Sequence, residues 1–124
     1  MKRDWDVIRD VLMEVEGLTE TQRHSFEFDL SAAANDTERS RVEHALLLWR
    51  SDYIDAVDAT TLSGAAIIGP SLTWQGHDLL DTIRSKPVWE RIKATAKAKG
   101  LELTLDGVKL LAKVALDQIV KNGG

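Results

Sequence analysis

The run from Leu72 to Arg84, Leu-Thr-Trp-Gln-Gly-His-Asp-Leu-Leu-Asp-Thr-Ile-Arg, constrains the fold more than any other stretch. It follows a short apolar segment, Ala65 to Ile68, that is broken by Gly69 and Pro70. Thr73 carries a hydroxyl suited to cap a helix, and Trp74, Leu79, Leu80 and Ile83 are read as its apolar positions. A capping hydroxyl directly after an extended run marks a strand feeding a helix. The rest of the chain is arranged around that junction.

Upstream, Trp5, Ile8, Leu12 and Val15 recur at spacings of three and four, which predicts a helix from Asp4 to Glu16 with one apolar face. Asp4 is placed to cap it and Gly17 to close it. Leu18 to Ser25 is polar and is expected to be a loop. Phe26, Phe28 and Leu30 alternate with Glu27 and Asp29, the period-two pattern of a half-buried strand, and Ser31 to Ala34 adds a helical turn. A second long helix is expected to start at Asn35 or Asp36 and end near Ser51. Val42, Ala45, Leu46 and Trp49 form its inner face, and Glu38, Arg39, Arg41 and Glu43 its outer side. Tyr53 to Val57 and Ala65 to Ile68 then read as two strands joined by turn residues, Thr60 to Gly64.

Helix, strand, helix and hairpin in this order predict a winged-helix-like core over residues 1–84, with the hairpin as the wing. Residues 85–124 add two helices to the same single domain. Pro87 stops one helix and can begin the next. Val88, Trp89, Ile92 and Ala96 give that next helix its inner face, and Gly100 ends it. Thr104 caps a last helix reaching about Val120, apolar on so many sides that it is expected to be buried on more than one. It is central to the fold or half of a homodimer seam, with Leu111, Val114 and Ile119 as interface residues. The expected fold class is therefore mainly α with a small β-sheet.

Composition narrows the functional classes. No cysteine is present, which excludes disulfides and thiolate metal sites. No apolar run approaches the roughly 18 residues of a membrane span. The N-terminal segment, Met-Lys-Arg-Asp-Trp-Asp, lacks a signal-peptide core, so a cytoplasmic protein without a membrane partner is expected. Charge is divided along the chain. Residues 1–83 hold seven Lys and Arg against 16 Asp and Glu, a net of −9, whereas residues 84–124 hold nine against four, a net of +5. A duplex binder gains by releasing counterions from a polyanion, and the first of these segments has the wrong sign for that.

No nucleophile elbow, phosphate-binding glycine loop or dinucleotide fingerprint occurs, because Gly64, Gly69 and Gly76 lack the required spacings. Asp52, Asp55 and Asp58 are spaced by three but lack the glycine and closing glutamate of a calcium loop, and read as exposed charge at the wing edge. His77 and Asp81 share a helix face. A zinc site needs about three or four ligands and no third is evident, so a histidine packed near the core and bonded locally is the favoured reading over a metal or acid–base pair. Trp5, Trp49, Trp74 and Trp89 are assigned to core packing rather than base stacking. No cofactor is expected.

The stretches Met1-Lys2-Arg3-Asp4-Trp5-Asp6 with Ile8-Arg9, Val42-Glu43-His44-Ala45-Leu46, Leu72-Thr73-Trp74-Gln75-Gly76-His77 with Leu80-Asp81-Thr82-Ile83-Arg84, and Val88-Trp89 resemble a family of short bacterial, phage and prophage proteins, domain of unknown function 2513. The resemblance covers most of the chain. Its most specific part is Leu-Thr-Trp-x-Gly-His with the downstream Val-Trp. It implies a winged-helix-like fold and a phage context. It brings no activity and no catalytic residues.

Two functions follow as expectations. The leading one is a non-enzymatic module that binds and modulates another protein. The alternative is a DNA-binding transcriptional regulator acting through helix 36–51, with Arg39, Arg41 and Arg50, and through the basic C-terminal helices, with Arg91, Lys93, Lys97, Lys109 and Lys113. Two arginines beside two glutamates more often form a solvated, ion-paired face, and the wing carries Asp55 and Asp58 without Lys or Arg.

Overall fold

The computed structural model describes residues 1–121. The chain is mainly helical with a small three-stranded antiparallel sheet. Its backbone separates into two compact units, Met1–Leu80 and a second that begins at Asp81.

In the first unit, α1 (Trp5–Glu16) starts where the Asp4 carboxylate accepts the Asp6 and Val7 N–H groups. It buries Trp5, Ile8, Val11, Leu12 and Val15. The polar segment expected as a loop is instead a helix, α2 (Glu20–Ser25). Thr19 and Gln22 form a reciprocal capping box, each side chain bonding the other's backbone N–H. None of its residues is buried, so no apolar period betrays it. It rests on the sheet, where the Arg23 guanidinium donates to the Gly69 carbonyl at 3.1 Å.

Strand β1 (Glu27–Asp29) buries Phe28, and a 3-10 turn (Leu30–Ala32) follows. Helix α3 (Asp36–Arg50) is capped by the Asn35 side chain, which accepts the Glu38 N–H at 2.9 Å. It packs against α1 and the sheet. Its buried residues are Val42, His44, Ala45, Leu46 and Leu48, while Trp49, assigned to the inner face, is only half-buried. Strands β2 (Ile54–Asp58) and β3 (Ala66–Leu72) form the hairpin, and the sheet order is β1-β3-β2.

Gly69 and Pro70 do not end the returning strand, as the sequence suggested. β3 runs through them because β1 pairs only as far as Ile68 and the β2 register shifts between Asp55 and Val57. Gly69 takes φ 67°, a left-handed conformation that makes a bulge there inexpensive. A proline, which brings no N–H to a ladder, is tolerated at such an irregularity.

Helix α4 (Trp74–Ile83) begins in the first unit and ends in the second. In the second unit, α5 (Lys86–Ala98) is capped by Ser85 with Pro87 in its first turn, and α6 (Leu105–Lys121) by Thr104, whose hydroxyl accepts the Gly107 N–H at 3.0 Å. The two helices pack together. As the spacing predicted, α5 buries Val88, Trp89, Ile92 and Ala96. α6 departs from expectation. It buries Val108, Ala112 and Ala115 along one stripe only, and leaves Leu110, Val114, Leu116 and Val120 exposed. Among the described residues, no helix is long and apolar enough to cross a membrane.

Candidate interaction surface

The Leu-Thr-Trp-x-Gly-His segment is a backbone latch. Thr73 donates its N–H to the Tyr53 carbonyl at 3.2 Å and its hydroxyl to the Asp52 carbonyl at 2.5 Å. The same hydroxyl accepts the Gly76 N–H at 3.0 Å, capping α4. Asp52 sits at φ 65° in the turn that closes α3, where Tyr53 N–H reaches back to the Leu48 carbonyl at 2.8 Å. Gly76 lies so close to this turn that a Cβ on it would stand 2.0 Å from the Tyr53 carbonyl oxygen. The first turn of α4 is thereby held against the α3–β2 turn.

This contact decides which way Trp74 points. Residues two apart on a helix lie on opposite sides. With Gly76 buried inward, the Trp74 indole faces solvent, 82% exposed. Gln75, His77 and Asp78 beside it are exposed as well. Two sequence-based assignments are corrected here: Trp74 is not in the core, and His77 does not pack near it. The true inner face is Gly76, Leu79, Leu80 and Ile83, spaced i, i+3, i+4, i+7. Trp74 to Leu79 is a step of five, which belongs to no single face, and that spacing was the available signal.

The histidine that is buried is His44, 1% exposed. Its Nε2 accepts the Asp4 N–H at 2.9 Å and its Nδ1 donates to the Ser40 carbonyl at 2.7 Å, tying the cap of α1 to α3. Its two ring nitrogens are thus both engaged by backbone. Among the described residues no three His, Asp or Glu side chains gather in a group suited to hold a metal ion.

The cationic residues separate into engaged and exposed ones. Arg41 does not face outward with Arg39. Its guanidinium forks onto Glu14 of α1 at 2.9 and 2.8 Å, approaches Glu38 at 3.5 Å, and lies 4.9 Å from the Phe28 ring centroid. Clefts of about 310 and 280 Å³ flank it, the first rimmed by Glu27, Asp29 and Glu38 and the second by Asp10 and Glu14. Removing this arginine strands Glu14 and uncovers the ring. Arg41→Ala is therefore expected to cost about 1–2 kcal/mol in chemical denaturation. A double-mutant cycle with Glu14→Gln should return a coupling of about 1 kcal/mol, and strict additivity would refute the pairing.

Arg39 and Arg50 are exposed near opposite ends of α3, roughly 16 Å apart at 1.5 Å per residue. The hairpin beyond α3 stays anionic. Hydrogen bonds from the Thr60 hydroxyl and N–H, aided by the Arg50 charge, hold the Asp58 carboxyl below its ordinary range. In the second unit Arg91 bonds Gln118 at 3.0 Å, and Lys93 pairs with Glu90 at 3.3 Å with its ammonium 5.6 Å from the Trp89 ring centroid. Lys97, Lys109 and Lys113 are exposed. Of the apolar residues assigned to a seam on α6, Leu111 and Ile119 are half-buried and Val114 is 43% exposed. Leu110, counted among the apolar residues of this helix but not assigned to the seam, is 64% exposed beside Val114.

Residues 2–102 match the family described as "Hypothetical protein (DUF2513)". A protein of Haemophilus influenzae (strain ATCC 51907 / DSM 11121 / KW20 / Rd), described as "Uncharacterized protein", is 36% identical over 120 residues, covering 97% of this chain and 99% of its own. No solved structure matches. With a family match over most of its length and a relative aligned nearly end to end, the chain belongs to the DUF2513 family.

Proposed function

We propose that this chain is a non-enzymatic, winged-helix-type module that binds another protein through the face of α4 carrying Trp74. The observation that carries the reading is the 82% exposure of that indole within a segment otherwise devoted to holding the backbone. Burying a tryptophan removes about 150–250 Å² from water, a gross gain of which only the surplus over the cost of association appears as affinity. Interface hot spots are enriched in this residue for that reason. The winged-helix assignment draws on the helix–helix–strand–helix–hairpin order and on β1 pairing with the returning strand. In a phage or prophage setting the target is a host or phage protein.

The test compares the full chain with Trp74→Ala as bait in host lysate. The wild-type chain is expected to retain one stoichiometric partner that Trp74→Ala loses, with both melting at the same temperature. Equal retention by the variant, or no complex at all, would sink the reading.

The sheet order favours a second reading, a DNA-binding regulator, because a helix before such a hairpin is the usual groove reader. It predicts retention on duplex DNA that falls steeply with salt and weakens with Arg39→Ala or Arg50→Ala. The engagement of Arg41 by Glu14 and the anionic hairpin weigh against it. No retention at low salt is the expected result.

A further inference from the structure

We infer that a second copy of this chain is a partner for the Trp74 face, and that the indole docks on the outer side of α6. This rests on the reading of Trp74 as a docking residue and names what covers it. Three observations meet here. The first is a matching uncovered apolar surface. On α6, Leu110 and Val114 stand one turn apart on the side away from the buried stripe of Val108, Ala112 and Ala115. Gly107 lies one turn before Leu110 and is half-buried.

The second is local charge. The Trp74 face carries Asp78 one turn along α4 and adjoins Asp52, whose carbonyl accepts the Thr73 hydroxyl; both acids are exposed. The α6 face carries Lys109, Lys113 and Lys121 against Asp106 and Asp117, all exposed, a net of +1. The third is the charge of each unit. Residues 1–80 hold seven Lys and Arg against 15 Asp and Glu, a net of −8, and residues 81–121 hold nine against five, a net of +4. Surfaces of opposite sign steer two copies into contact and fix their register. A contact between unlike surfaces closes when it is made twice about a two-fold axis, each copy giving its indole to the other's α6, and otherwise runs on into a filament. The interface is small and its rim ionic, so the association is weak and salt-sensitive.

Sedimentation velocity on the full chain at high protein concentration tests this. In low salt the wild-type chain is expected to sediment as a dimer, and in high salt as a monomer. Trp74→Ala and the double variant Lys109→Glu, Lys113→Glu are each expected to be monomeric in low salt with unchanged circular dichroism. Mixing that double variant with Asp78→Lys is expected to restore a dimer containing one copy of each. A monomeric wild-type chain in low salt, or a dimer that survives Trp74→Ala, overturns the inference. The two proposals fail separately. A monomeric chain that still needs Trp74 to retain another protein loses the second copy but keeps the docking function. A chain indifferent to Trp74→Ala in both assays loses both.

Discussion

Gly76→Ala is expected to unfold the first unit or to destabilise it by about 3 kcal/mol or more, at the upper end of overpacking costs. The added methyl would meet the Tyr53 carbonyl oxygen at 2.0 Å and its carbon at 3.0 Å. Both atoms are backbone, and no side chain can swing aside to make room. The Tyr53 carbonyl also accepts the Thr73 N–H, so any backbone shift that relieves the clash breaks the latch. Helix propensity alone would predict the opposite, a gain of about 0.8–1 kcal/mol for replacing glycine by alanine. Thermal and chemical denaturation decide between the two. Gly17→Ala is the matched control. That residue has an ordinary helical φ of −74°, and its added Cβ would sit 3.4 Å from the Met13 carbonyl oxygen. It should be neutral or stabilise by up to about 1 kcal/mol. If Gly76→Ala behaves like Gly17→Ala, the close approach of α4 to the α3–β2 turn is wrong.

The second large effect separates two tryptophans that a sequence treats alike. Trp89→Ala is expected to cost about 3–5 kcal/mol, since a 1% exposed indole leaves a cavity beneath Lys93 in a unit with few other large buried side chains. The loss should appear as an early, separate melting of the α5–α6 pair. Trp74→Ala is expected to change stability by no more than about 0.5 kcal/mol, because its side chain is 82% exposed. Its effect belongs in binding. Should Trp74→Ala prove as damaging as Trp89→Ala, the indole is packed after all and the proposed docking surface disappears.

The positions at which helices begin were legible because capping is a local matter. Asp4, Asn35, Thr73 and Thr104 each satisfy N–H groups two or three residues ahead, and such a bond needs no knowledge of the rest of the chain. The inner faces of α1 and α5 were legible for a related reason. Each packs on one side only, so its apolar period survives in the sequence. Helix α2 was missed because it buries nothing. Its supports are a capping box and one guanidinium on the Gly69 carbonyl, a residue 46 positions away.

The rest depended on partners distant in sequence. The sequence by itself determined a mainly helical chain with a short hairpin, the caps of its helices, and a charge divided between acidic and basic segments. Only the tertiary structure decided that Arg41 turns inward to Glu14, that Trp74 turns outward, and that α6 keeps an apolar face uncovered. The physical reason is the same in each case. A helix fixes which residues share a side, but which side is buried depends on what the chain brings against it. For α4 that is one carbonyl oxygen of Tyr53, close enough to admit only a glycine.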